Sequence, residues 1–348
     1  MDAPRRRLTS LADVARRAGV SITTASRVMS ESSHPVAERT RRKVLQAAEE
    51  LDFEPNLVAR GLVAQRTSIV GLLVGDVADP AAALVVRGAE DVAFEHGFSI
   101  IVANTDGDSD KELSYVRKLR ALRADAVVLA ASSVGANGEL EELGRQLRLV
   151  EQAGGVIVRM VPEPGLPVDV TWSRDDAYRL LVEHLVSLGH RTLALVTGPA
   201  SRATDAAAAA CTAAAHSLGA QLLPEHVIAV GETPDRAGAV ADPLLCVDPT
   251  PTAVLAASDA IAAGVASGLL RAGRRVPEDV SVTGLGDLAF AEFGPVPLTT
   301  VRVPYRQLGA AAMAQARLAF DEDGHPRPET VPVELVVRAS TGPAPGTA

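Results

Sequence analysis

The feature that most restricts the fold is a series of short apolar runs separated by longer helical patterns. After Arg66 the chain reads SIVGLLV (68–74), SIIVAN (99–104), AVVLAA (126–131), GVIVRM (155–160), TLALVTG (192–198), HVIAV (226–230), TAVLAA (252–257) and SVTGLG (281–286). Runs this short and this rich in Val, Ile and Leu read as strands buried on both faces. Between them the pattern predicts helices such as Ala82–Gly97, Lys111–Arg123, Asp176–Leu188 and Ala260–Ala272. Strand–helix alternation of this kind builds parallel sheets covered by helices. A stretch of about 270 residues exceeds what one such sheet holds, so two α/β lobes are expected. A ligand would then sit in the cleft at the carboxyl ends of the strands.

The N-terminal segment follows a different pattern, LADVARRAGVSITTASRVMS at 11–30. Ser10 followed by Asp13 fits a capping box, so a helix is predicted from Leu11. Leu11, Val14, Ala15 and Ala18 give it one apolar stripe. Gly19 stands where a helix closes in the left-handed conformation. Ser21 can cap a second helix whose inward face is Ala25, Val28 and Met29, and whose outward face carries Ile22, Thr23, Ser26 and Arg27. Two short helices across a glycine turn make a helix-turn-helix, although an ordinary helical hairpin has the same pattern. A third helix is predicted from Ala37 to Leu51, with Val44, Leu45, Ala48 and Leu51 apolar and Arg39, Arg41, Arg42 and Lys43 crowding its early turns.

Charge is distributed unevenly. Residues 1–66 hold twelve Lys/Arg against eight Asp/Glu, while the remainder holds 22 against 35. A basic head on an acidic body suits a nucleic-acid-binding module joined to a domain that stays off nucleic acid, and equally a solvated basic face.

Residues 10–62 resemble the DNA-binding head of the lactose/galactose repressor family of bacterial regulators. The matching residues are Asp13-Val14-Ala15, Gly19-Val20-Ser21, Thr24-Ala25-Ser26-Arg27-Val28, Val36 and Arg39-Thr40-Arg41. They continue through Val44-Leu45, Glu50-Leu51, Pro55-Asn56 and Ala59-Arg60-Gly61-Leu62. Ala25 and Ser30 depart from the valine and asparagine usual in the family. The resemblance implies that Ser21–Met29 is a recognition helix, with DNA contacts from Ser10, Ser21, Ile22, Thr23, Thr24, Ser26 and Arg27. It implies a hinge helix at Pro55–Leu62 that orders when two protomers meet on DNA. There Asn56, Ala59 and Arg60 are further DNA contacts, and Leu62 wedges into the minor groove.

The body resembles the family's effector domain, which shares its architecture with type I periplasmic sugar-binding proteins. Matching residues are Gly71-Leu72, Asp79-Pro80, Asn104-Thr105-Asp106, Glu183-His184-Leu185, Leu188-Gly189-His190, Ser258-Asp259, Val276–Val282 and Pro297–Val301. The fold class expected is therefore an all-α helix-turn-helix head plus an α/β, two-lobed, periplasmic-binding-protein-like domain. The head is placed at 8–54, hinge and linker at 55–66, and the two-lobed domain at 67–342. Lobe one takes 67–164 and 298–326, and lobe two 165–297 and 327–342, with a disordered tail at 343–348. Chain crossings between lobes are expected near Pro162–Pro167, Pro295–Pro297 and Pro326–Pro328. No heptad run suggests a tetramerising coiled coil.

The resemblance also marks an effector pocket, at Asp79, Ala81, Ala82, Trp172, Ser173, Ala207, Asp259, Gly286 and Asp287. Ala81 and Ala82 replace two large residues. Ala207 falls where the family has a ligand-clamping arginine, with Arg202 and Arg174 as the alternatives. Ser173 replaces an aspartate, and Gly286 replaces the first aspartate of Gly-Phe-Asp-Asp. With these polar and aromatic anchors missing, a simple hexose held by the usual contacts is not expected; the alternatives are a different, more apolar ligand with Trp172 as its platform, or no small-molecule effector.

His184, His190 and His216 lack metal-ligand spacing, and His190 is expected to bond the backbone locally. Asp106, Asp108 and Asp110 lack the twelfth-position glutamate of a calcium loop. Neither G-x-S-x-G nor a phosphate-binding loop occurs, so neither catalysis, metal nor cofactor is expected. The two cysteines are far apart, no apolar run reaches membrane-spanning length, and a cytoplasmic protein is expected. The function expected is a sequence-specific regulator, a repressor, binding double-stranded operator DNA as a homodimer under control of a small-molecule effector. A ligand-independent regulator and a small-molecule binding protein without operator function are the alternatives.

Overall fold

A computed structural model describes residues 9–29, 36–53, 66–131, 137–160, 168–199, 202–230, 237–320 and 327–346. The chain divides into two units, Met1–Ile69 with Arg123–Asp125, and Val70–Leu122 with Ala126–Ala348. The expected hinge residues Asn56, Ala59, Arg60 and Leu62 lie outside the described residues.

The first unit contains α1 (Leu11–Ala18), α2 (Ile22–Met29) and α3 (Glu38–Glu50). Local chemistry starts and stops these helices. The Asp13 N–H donates to Ser10 Oγ (3.3 Å), and the Ser10 N–H donates back to Asp13 Oδ2 (3.0 Å), which closes the capping box. Gly19 ends α1 at φ 68°, where a glycine meets no Cβ penalty. The Thr24 N–H then donates to Ser21 Oγ at 3.0 Å, starting α2. Val14, Ala15, Ala25, Val28, Val44, Ala47 and Ala48 form the core of this unit. Leu45, expected on the apolar stripe of α3, is 45% exposed, and Ala47 takes the inward position. The small side chains at the centre let three short helices approach closely.

The second unit begins with β1 (Ile69–Val74), α4 (Pro80–Glu95), β2 (Ser99–Asn104), α5 (Ser109–Ala121), β3 (Ala126–Leu129), α6 (Asn137–Gln152) and β4 (Val156–Arg159). These strands make a sheet of order β2-β1-β3-β4, with β1–β3 and β3–β4 parallel. There follow β5 (Val170–Trp172), α7 (Arg174–Ser187), β6 (Leu193–Thr197), α8 (Arg202–Ser217), β7 (Val227–Ala229), α9 (Ala241–Cys246), β8 (Ala253–Ala256), α10 (Asp259–Arg271) and β9 (Ser281–Gly286). The chain closes with α11 (Phe290–Phe293), β10 (Thr299–Arg302), α12 (Tyr305–Leu318), β11 (Glu329–Val331) and β12 (Glu334–Val336). A six-stranded sheet has the order β12-β10-β9-β8-β6-β7, parallel except where β12 meets β10. β11 and β5 pair in parallel as a separate ribbon.

This topology moves the lobe crossings from their expected places. β10, expected in lobe one, pairs with β9 in the lobe-two sheet, with Thr299 opposite Thr283. The crossing therefore follows Arg302, at Val303–Pro304, and α12 returns to pack on α4. Likewise β5 and β11 lie against α12, so the other crossings come after Trp172 and after Val331. Proline positions had suggested the borders, whereas strand pairing decides them.

The expected disordered tail is also corrected as far as it is described. The Gly342 N–H donates to Ser281 Oγ (3.1 Å) and the Ala344 N–H donates to the Leu188 carbonyl (2.9 Å). Ala344 is buried. Backbone hydrogen bonds to lobe two order a segment whose Pro/Gly composition has no periodicity of its own.

Candidate functional site

Two sites emerge, one in each unit. In the first, the period of α2 turns Ala25 and Val28 into the core and leaves Ser21, Ile22, Thr23, Ser26 and Arg27 exposed. Ile22 is 56% exposed. Ser21 and Thr24 are joined by a 2.8 Å hydroxyl–hydroxyl hydrogen bond, and Thr24 is half-buried. Ser10 is exposed, but its hydroxyl donates to Asp13 Oδ2 at 2.6 Å. Arg16 adds a third hydrogen bond to Asp13, and the three hold that carboxyl near pKa 2. Arg39, Arg42 and Lys43 are exposed on α3. The exposed face of α2 thus combines hydroxyls, one arginine and one apolar side chain. That set can bond phosphates, the guanine edge and a thymine methyl.

The second site is a cavity of about 390 Å³ at the carboxyl ends of β1, β3 and β4. Val74, Gly75 and Asp76 enter it from β1, and Asp79, Ala81, Ala82 and Val85 from the start of α4. Met160 and the β5 residues Val170, Thr171 and Trp172 form a further wall. Tyr305 and Leu308 of α12, with Arg174 at the first position of α7, complete it. Asp79 caps α4 by accepting from the Ala81 N–H (3.0 Å), and Asp76 Oδ1 accepts from the Ala78 N–H (2.8 Å). The Arg174 guanidinium lies over the Trp172 ring, 5.6 Å from its centroid. Burial pushes the Tyr305 hydroxyl far above the usual phenol range, and the Asp259 and Asp79 carboxylates push the same way.

Of the expected effector residues, Asp79, Ala81, Ala82 and Trp172 line this cavity. The others go elsewhere. Ser173 caps α7, accepting from the Asp176 N–H at 3.1 Å. Ala207, on α8, is turned into the core. Asp259 is fully buried, accepting from the Leu288 N–H (2.7 Å) and the Thr300 hydroxyl (2.6 Å). Burial raises its pKa, partly offset by those two donors. A side chain at Gly284 would collide with Asp259 Oδ1. Asp287 accepts from Arg302 Nε (2.8 Å) and an Arg338 amine (2.7 Å). Gly286 and Asp287 line a separate, more open depression beside Arg302 and Arg306. Met160, Thr171, Tyr305 and Leu308 were not singled out from the sequence. Their one signal was position, just past or within strands and at the start of a helix that follows a crossing.

The three histidines behave as structural groups or surface residues. His190 Nδ1 meets Thr252 Oγ1 at 2.9 Å, while Nε2 meets Ser281 Oγ (3.1 Å) and the Gly342 carbonyl (3.0 Å). These partners are distant in sequence, not the local backbone that was expected. His184 Nε2 meets Thr341 Oγ1 at 2.9 Å, and His216 is exposed. Among the described residues no group of three His, Cys, Asp or Glu is arranged to hold a metal ion. Asp108 caps α5, and Asp106 accepts from Asn104 and Lys111. No helix of the described residues is long and apolar enough to cross a membrane.

The profile of bacterial regulatory proteins of the lacI family matches residues 10–56, and that of the periplasmic binding protein-like domain matches 182–341. The chain is 31% identical over 306 residues to the HTH-type transcriptional repressor PurR of Vibrio atlanticus (strain LGP32), covering 88% of this chain and 90% of the relative. PurR of Aliivibrio fischeri (strain MJ11) is 29% identical over 337 residues, covering 96% and 98%. Among solved structures, the lac repressor dimer bound to operator and the anti-inducer ONPF superposes with a TM-score of 0.82 at 26% identity, covering 97% of this chain and all of that one. The transcriptional regulator CelR in complex with cellobiose gives 0.67 at 28% identity, covering 95% and 99%.

Proposed function

The chain belongs to the lacI family of bacterial regulatory proteins, and from that premise we propose a transcriptional repressor that binds a pseudo-palindromic operator as a homodimer, gated by a small molecule in the interlobe cavity. The observation that carries this reading is the outward face of α2, where Ser21, Ile22, Thr23, Ser26 and Arg27 are exposed beside a buried Ala25 and Val28. A helix whose exposed stripe offers direct base-edge chemistry suits the major groove. Lys43, Arg39 and Arg42 on α3 supply charge for phosphates, which position the helix without reading sequence.

Dimerisation is supported by β2. It is the edge strand of its sheet, and Ile101 and Val102 are exposed on it. A bare apolar edge is a surface that proteins usually cover. Two copies would bring two heads to two half-sites. The ligand acts by preferring one lobe arrangement over the other. The lobes are joined by three crossing strands, and Tyr305, at the start of α12 just past the crossing at Val303–Pro304, lines the cavity.

Selection of bound sites from random duplexes, repeated with and without a metabolite panel, tests the proposal. The expected product is a two-fold symmetric site whose affinity falls steeply with salt. Purified chain that ignores every duplex at low ionic strength overturns it.

A further inference from the structure

Arg174 has no evident structural task. Arg117, Arg145, Arg302, Arg306 and Arg338 each hold a carboxylate at 2.6–2.8 Å. Among the described residues Arg174 holds none, although it is half-buried and lines the cavity. It also stands at the first position of α7, the positive end of the helix dipole, where a cation is unfavourable. Neither ion pairing nor helix stability accounts for it there. The guanidinium lies over the Trp172 ring, 5.6 Å from its centroid, and holds no carboxylate among the described residues, so its planar N–H groups can serve a carboxylate or phosphate.

Asp76 and Asp79 line the same cavity. Each uses Oδ1 on a local backbone N–H and has a second oxygen with which to accept from a ligand. Ala81, Ala82, Met160, Val170 and Leu308 supply apolar wall. We infer that the effector is a small organic anion, its carboxylate or phosphate held by Arg174 over Trp172 and its hydroxyl or ammonium donors turned to Asp76 and Asp79. This rests on the reading of the cavity as the effector site. A neutral analogue leaves a desolvated guanidinium unpaired, so the site discriminates by penalty as well as by attraction. Sulfate lacks donors for the two carboxylates and is repelled by them.

Trp172 is the only tryptophan in the chain, so its fluorescence reports on this cavity directly. The full-length protein is titrated with gluconate and glucose 6-phosphate, which separate carboxylate from phosphate, and with glucose as the neutral counterpart. A saturable fluorescence change with at least one anion, at least about tenfold weaker with glucose, is expected. Arg174→Gln weakens the anion's binding by about tenfold or more, and Arg174→Lys restores part of it. Thermal melts of both variants confirm folding. Glucose binding as tightly as the anions, no response to either anion, or unchanged affinity in Arg174→Gln overturns the inference. Operator binding by the unsubstituted chain is measured separately. Its absence beside an Arg174-dependent titration rejects the repressor reading alone, and the reverse pattern rejects only the anionic effector.

Discussion

His190 donates through Nε2 to the carbonyl oxygen of Gly342 at 3.0 Å, joining positions 152 apart in the chain. A carbonyl can only accept, so Nε2 carries the proton and Nδ1 accepts from the Thr252 hydroxyl. The ring is neutral and buried, and it ties the C-terminal segment to lobe two.

Burial pushes the pKa of His190 below its ordinary 6.5, and that of His184 likewise. The unfolded chain therefore takes up these protons first. Stability is full above about pH 6.5 and declines as the pH falls from there toward the lowered folded values. Urea midpoints measured down that range are expected to drop, and His190→Gln is expected to flatten the decline.

Asp259 is expected to be a stability residue and not an effector ligand. Asp259→Ala strands the Leu288 N–H and the Thr300 hydroxyl inside lobe two. Urea denaturation is expected to show a loss of about 2–4 kcal/mol, from two buried groups left without a partner.

Helices α4 and α12 touch through glycine. A Cβ at Gly88 would lie 1.8 Å from the Arg306 carbonyl oxygen, and one at Gly309 would lie 1.9 Å from that of Val85. Backbone must move to admit a methyl at either position. Gly88→Ala is expected to lower stability by about 1–3 kcal/mol in thermal denaturation. It is also expected to weaken ligand binding, since both helices line the cavity.

Arg27 is exposed on the outward face of α2. Arg27→Ala is expected to cost about 1–3 kcal/mol of operator discrimination, read as the ratio of specific to non-specific affinity in anisotropy titrations. Arg42→Ala, a phosphate contact on this reading, is expected to weaken all duplexes about equally and to reduce the salt slope. Equal losses of specificity in both variants would contradict the assignment of α2 as the reading helix.

The sequence alone determined whatever is settled within a few residues. Ser10 with Asp13, Gly19 and Ser21 with Thr24 act over three or four positions, so both helix starts and the turn were legible, as was the exposed stripe of α2. Most strand runs of the body were legible for the same reason, because burial on both faces leaves its mark in the run, although the edge strands β2 and β7 are not buried on both faces. Tertiary structure decided which strand joined which sheet and which side chains met. β10 went to lobe two because its backbone groups found β9, and nothing in its own residues says so. Asp259 was drawn into the core by Leu288 and Thr300, 29 and 41 positions away. Arg174 and Tyr305 share a cavity only because α12 returns across the molecule to α4. Hydrogen bonds and packing between distant positions depend on the path of the intervening chain, and local pattern carries no record of that path.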